Sequence, residues 1–308
     1  MKILIELPSW LGDTIMTTPA IENLANFHND AQITLIGSSV SIEALKNCSK
    51  VVKTVVLDKK YISLYKISRD LGNFDVFFSF RGSLRTKFLK FLISAKNKYQ
   101  FDKNKYQNRH QVEKYNDFVN DSLSIDSTAK KLQIYGYNNV KSKKKILGIN
   151  PGASYGSAKR WYPQEFAKVA SELSSEYDIV IFGGPSETDI AGDIEQALIN
   201  SDIRNYKNLA GNTTITELLD QISHLDFFIT GDSGPMHVAA AFQVPTIAIF
   251  GPTKDKETSQ WMNKKGIIVK SNIDCQPCME RTCPLRHHNC MRLIKAQNVL
   301  DVIFKNLN

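Results

Sequence analysis

Residues 226–250 read DFFITGDSGPMHVAAAFQVPTIAIF. An apolar run over 226–231 ends in Gly231-Asp232-Ser233-Gly234, and Pro235 follows. Proline suits the first turn of a helix, whose leading N–H has no partner to lose. Alanines come next, then a second apolar run over 245–250. Both runs are mostly apolar rather than strictly alternating, as in parallel strands covered on both faces. Free N–H groups at the helix start form an anion site, suited to a pyrophosphate.

The same alternation extends in both directions. Strands are expected at 2–7, 32–37, 51–57 and 74–80, and again at 145–150, 178–183, 226–231, 245–250 and 266–270. Helices are expected at 14–27, with Ile15, Ala20, Ile21, Leu24 and Phe27 on one side, and at 163–174 with Phe166, Val169, Ala170 and Leu173. A last helix near 296–306 is assignable to either half. The series runs once and restarts after a polar, basic stretch, 136–145, read as a linker. We therefore expect an α/β protein of two Rossmann-like, doubly wound domains, 1–140 and 146–308, facing each other across a central cleft. Ligands should sit at the carboxyl ends of the strands.

With 308 residues, 42% of them hydrophobic, the chain can build two cores, and a 23% charged share argues against wholesale disorder. No apolar run approaches the ~20 residues that cross a bilayer. The start, MKILIE, reads as a strand and not as a signal peptide, which predicts a cytosolic chain or one at the inner face of a membrane. The net charge of +8 favours anionic partners. Much of it falls between Arg81 and Lys105, where eight Lys or Arg face one acid, Asp102. Within this segment, Leu84, Phe88, Phe91, Leu92, Ala95 and Tyr99 stand at helical spacing among Arg85, Lys87, Lys90, Lys96 and Lys98. An amphipathic basic helix over 84–99 follows. It either packs on a core with a solvated cationic side or meets an anionic acceptor or membrane surface. A nucleic-acid-binding module is the rival from another class. Against it, no aromatic platforms interleave regularly with the cations.

Four loops after strands could carry chemistry. In Pro8-Ser9-Trp10-Leu11-Gly12-Asp13, Gly12 allows close backbone approach and Asp13 opens a helix, as its N-cap or as a general base. Asn150–Trp161, NPGASYGSAKRW, ends in Lys159 and Arg160, which suit a diphosphate if the loop is more than solvated surface. In Phe182-Gly183-Gly184-Pro185-Ser186-Glu187, Glu187 either binds ribose hydroxyls or simply opens a helix. His237, in the first turn after Gly234, either donates to phosphate or packs against the alanines. No dinucleotide fingerprint, P-loop, zinc-protease helix or serine elbow is present. Cys275, Cys278, Cys283 and Cys290 are enough for a four-coordinate zinc, but their spacing is not the paired one. A reduced, packed loop is the reading we take.

These stretches resemble the ADP-heptose:lipopolysaccharide heptosyltransferases, glycosyltransferase family 9. The likeness is carried by MKILIELPSWLGDTIMTTPAI at the start, by NPGASYGSAKRW, and by GDSGPMHVAAAFQVPTIAIFGPT over Gly231–Thr253. The second of these and the Cys275–Cys290 segment look most like the heptosyltransferase II branch. The resemblance implies a GT-B fold and an inverting transferase, with no cofactor and no metal in the chemistry. It implies an ADP-L-glycero-D-manno-heptose donor on the second domain and a Kdo-lipid A or heptosyl-Kdo-lipid A acceptor on the first. Asp13 matches the base. Lys159, Glu187, Asp232, Ser233, Gly234, Met236 and His237 match the donor site. Ser9, Trp10, Gly12, Arg85 and His110 fall on the acceptor side, Arg85 standing where relatives often carry Lys. Heptosyltransferase I, a transferase of another nucleotide sugar and a catalytically silent sensor are the alternatives. Nucleic acid is not expected as a partner; an anionic inner-membrane surface is.

Overall fold

The computed structural model describes residues 1–48, 50–58, 60–137 and 144–306. The chain forms two compact units, Met1–Gly136 and Tyr137–Asn308. The stretch expected as a linker lies mostly outside the described residues.

The first unit runs β1 (Lys2–Glu6), α1 (Leu11–Met16), α2 (Thr18–Phe27), β2 (Gln32–Gly37), α3 (Ser39–Leu45), β3 (Val51–Val56), α4 (Tyr61–Leu71), β4 (Asn73–Ser79), α5 (Leu84–Leu92), β5 (Ser94–Gln100) and α6 (Gln111–Leu123). Its strands form one parallel sheet in the order β3-β2-β1-β4-β5. Ile3, Leu4, Ile5, Phe77 and Phe78 are completely buried in the central strands. Each side chain of this kind contributes roughly 1.5–3 kcal/mol by leaving water. Leu64 of α4 and Leu89 of α5 close one face, over Leu4, Ile36 and Phe77. The strand order reverses between β1 and β4, so the loops after these two strands flank the unit's natural binding crevice.

The second unit runs β6 (Lys145–Asn150), α7 (Pro163–Leu173), β7 (Tyr177–Ile181), α8 (Thr188–Asn200), β8 (Tyr206–Asn208), α9 (Ile215–Ser223), β9 (Phe227–Gly231), α10 (Gly234–Ala241), β10 (Thr246–Phe250), α11 (Asp255–Thr258), β11 (Gly266–Lys270), α12 (Asn289–Arg292) and α13 (Ala296–Asn306). Its parallel sheet has the order β11-β10-β9-β6-β7-β8. Here the reversal lies between β6 and β9. Val299, Leu300 and Ile303 of α13 belong to this unit's core, beside Phe166, Val169 and Leu173 of α7.

Three elements depart from expectation. The helix expected over 14–27 is two helices, because Pro19 at the start of α2 cannot continue the α1 ladder. The helix expected over 84–99 stops at Leu92, and residues 94–100 pair with β4 as an edge strand. Backbone pairing with a buried neighbour outweighs a helical spacing of apolar residues, and Lys96 and Lys98 guard the exposed edge. What remains of that helix is turned over. Thr86 and Leu89 face the core, whereas Leu84, Phe88 and Phe91 face solvent. β8, a three-residue edge strand, has no apolar run that would announce it.

Candidate functional site

In the first unit, the loop after β1 enters α1 at Leu11, with Trp10 at the N-cap position. Asp13 is therefore not the cap but the third helical residue, in the first turn, where the helix dipole favours a carboxylate. The Tyr115 hydroxyl, from α6, donates to Asp13 Oδ1 at 3.5 Å. Tyr115 is buried, and burial followed by the Asp13 charge holds its phenol well above the ordinary range. It stays a neutral donor, and a donor to a carboxylate favours the ionised form that a base needs. Ser9 gives its carbonyl to Ser38, Gly12 is buried, and Trp10 projects into solvent.

Two acceptor-side residues also make contacts within their own unit. His110 is buried and caps α6: its Nδ1 accepts from the Val112 N–H, while Glu113 accepts from the His110 N–H at 2.9 Å. This capping box puts the imidazole Nδ1 at the helix start. Arg85, in the first turn of α5, donates to the Asp58 carbonyl.

A residue that the sequence did not single out lies beneath this crevice. Glu6 ends β1 with no exposure and is the register partner of Ser79. It accepts from Ser79 Oγ at 2.7 Å and Thr86 Oγ1 at 3.4 Å, and pairs with Arg81 at 3.5 Å. One carboxylate thus ties the ends of β1 and β4 to the start of α5. Burial raises its pKa, and Ser79, Arg81, Arg85 and Thr86 offset this only in part. A raised acid favours folding while protonated, and that contribution is lost as pH rises through its folded pKa. Glu6→Gln cannot ionise, so its melting temperature minus the parent's should grow between about pH 4 and about pH 8. Thermal melts across that range check this; a pH-independent difference would mean that ionisation of Glu6 has no bearing on stability.

In the second unit, the loops after β6 and β9 meet at the strand-order reversal. Asn150 and Thr230 are register partners. Asn150 Nδ2 donates to Thr230 Oγ1 and Ser233 Oγ, and the Thr230 and Ser233 hydroxyls lie 3.0 Å apart. Lys159 Nζ contacts Asp232 Oδ2 at 2.6 Å and the Asp232 carbonyl at 3.0 Å. Thr253 Oγ1 donates to the same Oδ2 at 2.6 Å. Lysine has three N–H donors, and Asp232 engages two, which leaves one for an anion. Gly234 opens α10 and His237 is buried in its first turn. Met236 is corrected: its side chain is fully buried with Ala248 and Phe250, and its N–H bonds to the Ser233 carbonyl, so it packs and does not face a ligand.

Glu187 is also buried, and its Oε2 accepts from the Gly184 N–H at 2.7 Å. A Cβ on Gly152 would collide with this carboxylate. Glycine at 152 is what lets the loop after β6 close over Glu187.

Cys275, Cys278, Cys283 and Cys290 are free thiols lining one cavity with Ala158 and His287. Among the described residues, no three His, Cys, Asp or Glu are grouped so as to hold a metal ion. Burial, with the neighbouring thiols adding to it, pushes Cys290 up to about 11, so it stays protonated. The segment braces the Lys159 loop. The Arg281 carbonyl accepts from the Ala158 N–H at 3.0 Å, and His288 Nε2 lies 2.9 Å from the Ala158 carbonyl. Tyr155 donates to the Met279 carbonyl, and its ring meets both Lys159 at 4.9 Å and Arg281 at 5.1 Å. Cation–π contact of this kind helps fix the ammonium. Tyr155, Thr253, Arg281 and His288 are site residues that sequence reasoning missed.

Residues 64–289 match the family model for glycosyltransferase family 9 (heptosyltransferase). A lipooligosaccharide heptosyltransferase 2 of Campylobacter jejuni serotype O:2 is 43% identical, across 98% of this chain and 97% of its own. Its counterpart in serotype O:6 is 41% identical across 99% of both. Among solved structures, the Escherichia coli ADP-heptose lipopolysaccharide heptosyltransferase II has a TM-score of 0.83 at 21% identity, over 100% of this chain and 98% of that one. A family 9 transferase of Veillonella parvula has the same TM-score and identity, over 99% and 97%. Both structural likenesses speak for the fold: two Rossmann-like units of the GT-B type.

Proposed function

The chain belongs to glycosyltransferase family 9, the heptosyltransferases, and from that premise we propose that it moves heptose from ADP-L-glycero-D-manno-heptose onto the inner core of lipopolysaccharide or lipooligosaccharide. The acceptor on this reading is heptosyl-Kdo-lipid A, so that the second heptose is the one added. Work on such an acceptor places the enzyme in the cytoplasm, peripheral at the inner face of the inner membrane. The observation that carries the reading is the Lys159–Asp232 pair at the start of α10, with one lysine donor left for a diphosphate. Likeness to lipooligosaccharide heptosyltransferase 2 over nearly the whole chain supports the acceptor class.

The reaction is a single displacement. An acceptor hydroxyl oxygen bonds to the anomeric carbon as the bond from that carbon to the β-phosphate oxygen breaks, and the configuration inverts. Asp13 takes the hydroxyl proton, with Tyr115 holding the carboxylate. ADP departs with the electron pair. Its growing charge is met by Lys159 and the Gly234 N–H at the start of α10. The buried Glu187 stands near this loop as the ribose-side acid.

Mass spectrometry of products from ADP-heptose and truncated lipopolysaccharides of defined length tests the proposal. One added heptose on heptosyl-Kdo-lipid A is expected. Transfer only to Kdo-lipid A would reassign the step to the first heptose. Transfer from a different nucleotide sugar alone would overturn the donor.

A further inference from the structure

Helices α4 and α5 leave an apolar, cationic face uncovered. On α5, Leu84, Phe88 and Phe91 stand at i, i+4 and i+7, one stripe of a helix, and they are 79%, 39% and 80% exposed. On α4, Tyr61, Ile62 and Tyr65 are 54%, 69% and 51% exposed, while Leu64 and Ser68 are turned to the core. The two stripes adjoin. The Tyr61 and Phe88 rings meet edge to face at 5.5 Å, and Arg85 reaches across to the Asp58 carbonyl ahead of α4. Exposed Lys60, Lys66, Arg69 and Lys87 fringe the stripes, against the acids Asp58 and Asp70. Monomeric proteins rarely leave a contiguous apolar patch of this kind without a use for it.

We propose that this face docks on a lipid bilayer bearing anionic headgroups. The six apolar side chains enter the boundary between headgroups and acyl chains, and the cations meet the phosphates. Charge selects this occupant. A second copy of the chain would bring the same cations to the same face. A nucleic acid stacks on aromatic rings but has nothing to offer Ile62 and Leu84. The inference rests on the reading that the acceptor is a membrane amphiphile, and it gives that acceptor a route. Leu84 follows β4 as the half-exposed Trp10 follows β1, so the docking face borders the crevice that holds Asp13. The acceptor's sugars can then reach the base while its lipid stays in the bilayer.

Co-sedimentation of the full chain with vesicles tests the docking, with neither donor nor acceptor present. Vesicles of phosphatidylcholine plus phosphatidylglycerol should bind it, phosphatidylcholine alone about tenfold less, and added salt should weaken the binding. Ile62→Ser with Phe91→Ser should lower binding about tenfold or more. Both residues are exposed, so the fold tolerates the change, and melting temperature checks this. Lys66→Gln with Lys87→Gln should flatten the salt dependence. Equal binding to both vesicle types would overturn the proposal, as would parent-like binding by the serine variant. So would a parent dimer that the serine variant converts to monomer while vesicles go unbound. Vesicle binding without any heptose transfer would leave the docking standing and remove the reaction. Unchanged transfer to a delipidated acceptor by the serine variant, with loss only on vesicle-embedded acceptor, supports both.

Discussion

Asp13→Asn should lower kcat by about 100-fold or more, close to 3 kcal/mol on the barrier, while donor Kd stays at the parent value. The amide keeps the shape of the carboxylate but cannot accept the hydroxyl proton. Donor binding is spared because the proposed diphosphate contacts, Lys159 and the start of α10, belong to the second unit. Single-turnover kinetics with saturating acceptor, paired with calorimetric titration of the donor, separates the two effects. A kcat within a few-fold of the parent would remove Asp13 from the chemistry. Tyr115→Phe supplies an independent check. It deletes the hydroxyl that donates to Asp13 Oδ1. Without that bond the ionised carboxylate is less favoured, so the acid limb of kcat/KM moves to higher pH. A purely structural tyrosine would lower activity without moving the limb.

The strands that position these residues were legible because both faces of a parallel sheet are covered. Runs such as 226–231 and 245–250 are then mostly apolar on both faces rather than alternating. β5 escaped because it is an edge: Ser94–Gln100 carries two lysines and an asparagine, and its Ala95 and Tyr99 continue the spacing of the preceding helix. In the site, what was legible is local. Asp232 directly follows β9, Lys159 closes the loop after β6, and Asp13 sits in the first turn of the helix after β1, each beside small residues that mark close approach. What was hidden is the partner each one needs. Tyr115 is 102 residues from Asp13, and Ser79 is 73 from Glu6. No spacing rule spans such distances; sheet register brings Ser79 to Glu6, and the packing of α6 against α1 brings Tyr115 to Asp13. His110 is a different case. An acid three residues on, Glu113, is the mark of a capping box, so the place of His110 at the start of α6 was legible in the sequence.

Lys159→Ala should destabilise the second unit strongly. Lys159 and Asp232 are only 12% and 6% exposed, and removing one partner of a buried pair leaves the other charge uncompensated, at a cost of about 3 kcal/mol. For a unit of this size that is a fall in melting temperature on the order of 10 °C. Stability and donor binding are then confounded, because the same ammonium is assigned to the diphosphate. A double variant separates them. Lys159→Met with Asp232→Asn removes both charges and keeps the volume, and the Thr253 hydroxyl can still donate to the asparagine oxygen. Most of the lost melting temperature should return, since two neutral groups in place of a buried ion pair cost little. Donor affinity should not return, and its salt dependence should be weaker than the parent's, because a phosphate contact is gone. Recovery of both in the double variant would make Lys159 a brace for the loop and nothing more. Recovery of neither would show that Asp232 has a part beyond holding the lysine, for which its place at the start of α10 is the reason.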